Sequence, residues 1–385
     1  MNERYLLPVY KRVGPVFAKG RGSFLWDENG NRYLDFFPGW GVGILGHSHK
    51  KIVKAIQRQA KDLIFLPNNL YHMWQYLLAE EIVANSFPSK VFFANSGAEV
   101  VEAALKFSRL FGQGRRYEVI SMNNSFHGRT FGAVSLTGQK KYNQPFRPLI
   151  AGCRKARFND FDHFMTKVTK KTAGVILELI QGEGGVNVAG VQYIKRIRRF
   201  CDQHNILLIV DEVQTGMART AKLFCYENYK IIPDIMLLSK GLGSGIPVSC
   251  MVVKKQFADI MQPGHHASTF GGNPLATRVA WEVFKVIKEE DIILNVREKS
   301  EYLFNRLNQF KAKFKIIKEV RGMGLMIGIE LIGQGQKLFE NALKRKLIIN
   351  CTHGNVLRIM PALNIKREEI DTGLKILEEV FKEYE

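Results

Sequence analysis

The sequence predicts an α/β protein: a large, mostly parallel sheet with helices on both faces, followed by a smaller α+β unit. Short runs rich in apolar residues at 91–93, 118–122, 174–180, 206–210 and 235–238 are bounded by turn residues, as strands buried on both faces are. From 91 to 250 the order of strand, loop and helix repeats, which favours parallel pairing. The chain has 385 residues, 46% of them hydrophobic, and so exceeds what one core spans; a second unit is expected.

Residues 1–50 read as an extended arm and a hairpin packing with the small unit. Phe24, Leu25 and Trp26 lead into the turn Asp27-Glu28-Asn29-Gly30-Asn31, and 32–37 return. An irregular glycine-rich loop follows, where Trp40 is a candidate for either a pocket wall or the core. The large unit is taken as 51–270. It opens with helices predicted over 51–61, from the spacing of Ile52, Val53 and Ile56, and over 74–85. Strand 91–93 then turns through small residues directly into a helix over 100–110, a junction that offers free backbone N–H groups to a phosphate.

After strand 118–122, one loop crowds Phe126, His127 and Arg129 together. Phe126 is placed to stack on a ring and Arg129 to grip a carboxylate; core packing and an internal ion pair are the alternatives. Run 174–180 ends in Gln181-Gly182-Glu183-Gly184-Gly185, with Glu183 facing a ligand from among glycines. A helix over 191–204 leads into strand 206–210, and a further strand covers 249–254. The adjacent His265 and His266 fall on opposite sides of an extended chain without acidic or cysteine partners at ligand spacing, so no zinc site is expected. Residues 271–385 form the small α+β unit, with a long helix from about 275, strands near 320–330, 347–349 and 356–360, and a final helix. Arg358 inside an apolar strand either binds an anion or pairs with a buried acid.

Composition narrows the function classes. The net charge of +20 is spread out, its densest clusters at 195–199, 311–315 and 344–346 lacking interleaved aromatics or a recognition-helix motif, so solvated helix faces are expected rather than a nucleic-acid site. The five cysteines show no Cys-x-x-Cys and no paired spacing, which fits a reducing cytoplasm. The opening octapeptide lacks an apolar signal core, and no run approaches the roughly 18 apolar residues of a membrane span, so a soluble cytoplasmic protein is expected.

The chemistry concentrates in 206–245. Asp211 and Lys240 each follow an apolar strand, and therefore emerge at carboxyl ends, where open α/β sheets place ligands. Lys240 enters a glycine-rich loop, where desolvation favours the neutral, nucleophilic amine. A neighbouring strand-end aspartate suits a protonated ring nitrogen, and the two together ask for pyridoxal 5'-phosphate. Either residue alone reads more simply as a turn cap or a strand-end lysine reaching water.

Eight motifs in order decide between these readings. They run from Trp26-Asp27-Glu28-Asn29-Gly30 through Gly46-His47-Ser48-His49, Asn95-Ser96-Gly97-Ala98-Glu99, Ser125-Phe126-His127-Gly128-Arg129-Thr130, Gln181-Gly182-Glu183 and Asp211-Glu212-Val213-Gln214-Thr215-Gly216 to Lys240-Gly241-Leu242-Gly243 and Ser268-Thr269-Phe270-Gly271-Gly272-Asn273-Pro274. The chain resembles the class III, fold-type-I pyridoxal phosphate aminotransferases over nearly its whole length, and within them most closely the acetylornithine type. The resemblance implies a seven-stranded large domain. It implies that Lys240 carries the cofactor and shuttles a proton, that Asp211 holds the ring nitrogen, and that Gly97 and Ala98 bind the phosphate. Phe126 and Val213 would sandwich the ring and Gln214 would contact its hydroxyl. Thr269, with Ser268 beside it, would reach the phosphate of a neighbouring subunit in a homodimer. Arg129 would take the donor's α-carboxylate, and Arg358, neutralised by Glu183 while the donor is bound, would be released to hold 2-oxoglutarate.

The implied reaction moves the terminal amino group of N-acetylornithine to 2-oxoglutarate, in arginine biosynthesis. Val101, Ala218, Ala221 and the segment Met360-Pro361-Ala362 depart from the acetylornithine pattern without removing a catalytic group. Ornithine, succinylornithine, 4-aminobutyrate, N-acetyl-diaminopimelate or a lysine precursor on an acidic carrier protein stay open as donors, the last suiting the positive charge. A glutamate-semialdehyde aminomutase and a non-catalytic nucleic-acid binder are the readings from other classes.

Overall fold

The computed structural model describes residues 5–384; the first four residues of the N-terminal arm and Glu385 of the small unit lie outside the described residues. The strands run, in chain order, as β1 (Phe17–Arg21), β2 (Phe24–Asp27), β3 (Arg32–Asp35), β4 (Ser89–Ala94), β5 (Glu118–Met122), β6 (Cys153–Ala156) and β7 (Thr172–Leu177). They continue as β8 (Ile180–Gln181), β9 (Asn187–Val188), β10 (Leu207–Asp211), β11 (Ile235–Leu238), β12 (Ser249–Lys254), β13 (Ile317–Met323), β14 (Met326–Leu331), β15 (Leu347–Ile348), β16 (Asn350–Thr352) and β17 (Val356–Ile359).

Seven of them form the large sheet, in the order β4-β12-β11-β10-β7-β5-β6. Only β12 runs against the rest, antiparallel to both β11 and β4. Such a sheet is buried on both faces, and β10 shows the consequence. All five of its residues are buried, with Leu208 and Val210 packing into one core cluster and Leu207 and Ile209 into the other. The first cluster continues without interruption into the small unit, through Ile327, Leu357 and Phe381.

Local sequence explains the helices that aim the strands. In the helix Val191–His204, Tyr193, Ile194, Ile197, Phe200 and Cys201 make one buried stripe at helical spacing. It stops at Asn205, whose left-handed backbone (φ 51°) returns its N–H to the Cys201 carbonyl, and β10 starts two residues later. The helix Gly97–Phe111 is capped by Ser96, whose hydroxyl accepts from the Glu99 N–H. The helix Pro274–Glu289 opens with proline after an Asn273 cap that accepts from the Ala276 N–H.

A four-stranded antiparallel sheet, β13-β14-β17-β16, forms the small unit. The N-terminal strands form a sheet in the order β1-β2-β3-β15, in which β15 joins β3 in parallel, so the hairpin is stitched to the C-terminal part of the chain. Two runs depart from expectation: 347–349 supplies only β15, which joins the N-terminal sheet while the small sheet's edge strand β16 starts at Asn350, and 174–180 is not a single strand. β7 ends at Leu177, Glu178 and Leu179 break away, and β8 and β9 pair as a separate ribbon around the turn 182–186. Buried Glu178, at the break, accepts the Phe126 N–H at 2.9 Å.

Candidate active site

A cavity of about 260 Å³ opens at the carboxyl ends of β10 and β11, where Asp211 ends one strand and Lys240 follows the other by two residues. It is lined by Gly97 and Ala98 at a helix N-terminus, by Phe126 and Arg129 from the loop after β5, and by Glu183, Val213 and Gln214. Nine of the residues singled out in the sequence therefore converge on one cavity. Arg358 reaches it indirectly, its Nη1 lying 2.7 Å from Glu183 Oε1 with only 1% of the side chain exposed. Of the two readings of Arg358, the geometry in this chain is the ion pair.

Ser268 and Thr269 do not join the cavity of their own chain. Thr269 is exposed, while the Ser268 hydroxyl accepts from Asn95 Nδ2 at 3.2 Å and the Gly271 N–H at 3.1 Å. Trp40 is half exposed, and only its carbonyl approaches the site, accepting from Gln214 Nε2 at 3.0 Å.

Electrostatics sort the charged groups. Burial pushes the Lys240 amine's pKa down, against the opposing pull of Glu183 and Asp211. Its backbone is left-handed, at φ 45°, a strained conformation for a residue with a side chain. Asp211 Oδ2 lies 2.7 Å from His127 Nδ1, and its Oδ1 accepts the Val213 N–H at 3.1 Å. The Glu178 carboxyl is driven well above the carboxylate range by burial and then by the charge of Asp211. Burial likewise raises Glu183, but Arg358 outweighs it and the net shift is downward. Glu212, next to Asp211, points away into structure: it accepts from the N–H groups of Cys225 and Tyr226 and from the Thr215 hydroxyl.

Sequence reasoning assigned no role to His127 or Glu178. Both carried a signal. His127 sits between two residues already chosen, and Glu178 is a charge inside an apolar run, the same anomaly that exposed Arg358.

The site fits a flat, anionic, nitrogen-containing ring. A helix N-terminus faces one part of the cavity and a buried carboxylate another, with an amine of lowered pKa between them. Close backbone approach leaves the space open: a Cβ at Gly97 would stand 3.0 Å from Val213, and one at Gly128 2.8 Å from Ala98. This donor set and the mostly parallel sheet define a fold-type-I pyridoxal phosphate enzyme.

The chain belongs to the class-III aminotransferases, whose family model matches residues 9–381. It is 44% identical to an acetylornithine aminotransferase of Clostridium acetobutylicum over 99% of this chain and 100% of that one. To the acetylornithine aminotransferase of Methanocaldococcus jannaschii it is 42% identical, over 100% and 97%. Among solved structures it superposes on the ornithine aminotransferase of Toxoplasma gondii with a TM-score of 0.95 at 31% identity, covering 99% and 93% of the two chains. On the N-acetylornithine aminotransferase of Stenotrophomonas maltophilia the TM-score is 0.86 at 34% identity, covering 99% and 98%. The protein is a pyridoxal phosphate-dependent aminotransferase. Among the described residues no helix is long and apolar enough to cross a membrane.

Proposed function

We propose that the protein transfers the terminal amino group of N-acetylornithine to 2-oxoglutarate, a step of arginine biosynthesis in the cytoplasm. The observation that carries the reading is the Glu183–Arg358 pair, a buried cation masked by a carboxylate that lines the same cavity as Lys240. The full-length likeness to enzymes called acetylornithine aminotransferases supports the choice of donor.

Pyridoxal phosphate, when bound, supplies a ring that accepts the electrons left when a proton leaves the carbon bearing the amine. Asp211, its carboxylate fixed by His127 and the Val213 N–H, would hold the ring nitrogen. Gly97 and Ala98, at the helix N-terminus, would take the phosphate. Phe126 and Val213, which line the cavity, would flank the ring, and Gln214 would reach its hydroxyl. Lys240 is the base: it lines the cavity, and burial disfavours its charged form, which leaves the amine freer to take up and return a proton. Arg129, stacked 4.0 Å over the Tyr142 ring, offers its guanidinium to the donor's α-carboxylate.

The substrate alternates between a donor with one carboxylate and an acceptor with two. In the donor half-reaction Glu183 neutralises Arg358; in the acceptor half-reaction Arg358 is released to the second carboxylate. The same reading divides the chain into a cofactor-binding unit, 51–270, and a small unit, 271–385, with 1–50 packed on the latter.

The reading also takes the protein as a homodimer in which Thr269, with Ser268, reaches the partner's phosphate site. It is supported by the exposure of Thr269 and by apolar side chains left in water around it, among them Phe270, Ile64, Tyr71 and Met73.

Activity assays with N-acetylornithine, ornithine, succinylornithine and 4-aminobutyrate as donors test the proposal. N-acetylornithine is expected to give the highest kcat/KM, with turnover strictly dependent on 2-oxoglutarate. Preference for another donor overturns the substrate, and turnover of glutamate semialdehyde without any acceptor overturns the reaction.

A further inference from the structure

The turn 182–186, which carries Glu183, is bound to the small unit through its backbone. Five successive carbonyls each accept from a side chain. Gly182 O takes Arg358 Nη1 at 3.0 Å, Glu183 O takes Thr352 Oγ1 at 3.0 Å, and Gly184 O takes Asn187 Nδ2 at 2.9 Å. Gly185 O takes Arg321 Nη2 at 2.7 Å, and Val186 O takes Arg321 Nε at 3.2 Å. Four of the five donors thus come from the small sheet.

Register explains how two arginines reach one turn. Arg321 on β13 stands opposite Gly328 on β14, which stands opposite Arg358 on β17, which stands opposite Asn350 on β16. Directly opposed residues share a face, so the row reads Arg, Gly, Arg, Asn on the side that meets the turn. The glycine makes room: a Cβ at Gly328 would lie 2.9 Å from the Val186 Cβ. Val186 itself holds φ 56°, a true outlier for a β-branched residue.

The two arginines differ in what holds them. Every nitrogen of Arg321 is committed, Nε and Nη2 to the turn and Nη1 to Glu319 and Glu330. Arg358 is tied to the turn through Nη1, which it shares between Gly182 O and Glu183, and to Asn350 Oδ1 through Nε. Resting on the reading in which Arg358 leaves Glu183 for the acceptor, we propose that Arg321 is the positioning residue of this exchange. It pins Gly185 and the strained Val186, so that Glu183 stays aimed at the place to which Arg358 returns. Without that pin the turn relaxes, Glu183 masks Arg358 poorly, and selectivity shifts from the amino donor toward glutamate.

Half-reaction kinetics of the holoenzyme with N-acetylornithine and with glutamate, measured separately, test this. Arg321→Gln and Arg321→Lys are expected to lower the ratio of kcat/KM for N-acetylornithine to that for glutamate about 10-fold, with the glutamate half-reaction held within about 3-fold. Lysine fails because one ammonium does not reproduce the Nε/Nη2 fork, and it keeps a positive charge beside Glu330 should the glutamine variant not fold. Adding Val186→Gly, which removes the strain that Arg321 restrains, is expected to restore part of the ratio. Equal losses in both half-reactions, or no recovery with Val186→Gly, overturn the proposal and leave Arg321 a structural residue. Glu183→Gln tests the underlying reading separately: if it leaves the ratio unchanged, the Glu183–Arg358 exchange itself is wrong.

Discussion

His127 Nδ1 stands 2.7 Å from Asp211 Oδ2, with both side chains nearly fully buried. This contact fixes one carboxylate oxygen, while the Val213 N–H fixes the other, so the group proposed to hold the ring nitrogen is restrained at both oxygens. A buried carboxylate at the floor of a cavity is tolerated only when so satisfied.

The first prediction concerns this pair. Asp211→Asn keeps the shape but not the charge, and is expected to lower kcat by at least about 100-fold. His127→Leu leaves Asp211 held by the Val213 N–H alone, and is expected to lose less, about 10-fold, with weaker cofactor retention on dialysis. Equal activity of His127→Leu and wild type contradicts the positioning role.

Arg129 is expected to act on the donor alone. Arg129→Lys loses the planar fork and the stacking over Tyr142, and is predicted to raise KM for N-acetylornithine about 10-fold while leaving KM for 2-oxoglutarate within about 2-fold. Steady-state kinetics with each substrate varied in turn check this. A matched rise in both KM values contradicts it.

Glu212 gives a prediction in pH. Burial pushes its carboxyl from the ordinary value of 4.5 up to about 7, against the pull of the Cys225 and Tyr226 N–H groups. The folded protein therefore keeps this proton where the unfolded chain has released it. The stabilising contribution is complete below 4.5 and is lost as pH rises through about 7. Glu212→Gln does not titrate, so the wild-type advantage in Tm over this variant is expected to shrink steadily from pH 5 to pH 7.5. A difference that is flat or grows with pH contradicts the assignment.

Much of the site was legible in the sequence because its residues sit where strand ends must lie. Asp211 and Lys240 terminate buried apolar runs, and the parallel topology then brings those ends to one edge without further information. Arg358 was legible as a charge in an apolar strand. Glu178 was not used, since a single acidic residue does not announce that its strand breaks before it or what it meets there; its partner, the Phe126 N–H, arrives from a loop 52 residues away. The anchoring of the turn 182–186 was equally hidden. It depends on which residues of β13, β14 and β17 stand opposite each other, and register across three strands is a tertiary property. Ser268 and Thr269 were read as acting on a neighbouring subunit, and within one chain they stay outside the cavity.

The central claim is tested most directly by the absorbance spectrum of the holoenzyme, recorded before and after adding N-acetylornithine with no acceptor present. The expected result is a band of protein-bound pyridoxal phosphate that converts to that of the pyridoxamine form, is restored by 2-oxoglutarate, and is absent from Lys240→Ala. A cofactor band that N-acetylornithine leaves unmoved would contradict the proposed donor, and a protein that forms no such band after reconstitution with pyridoxal phosphate would contradict the assignment of Lys240 itself.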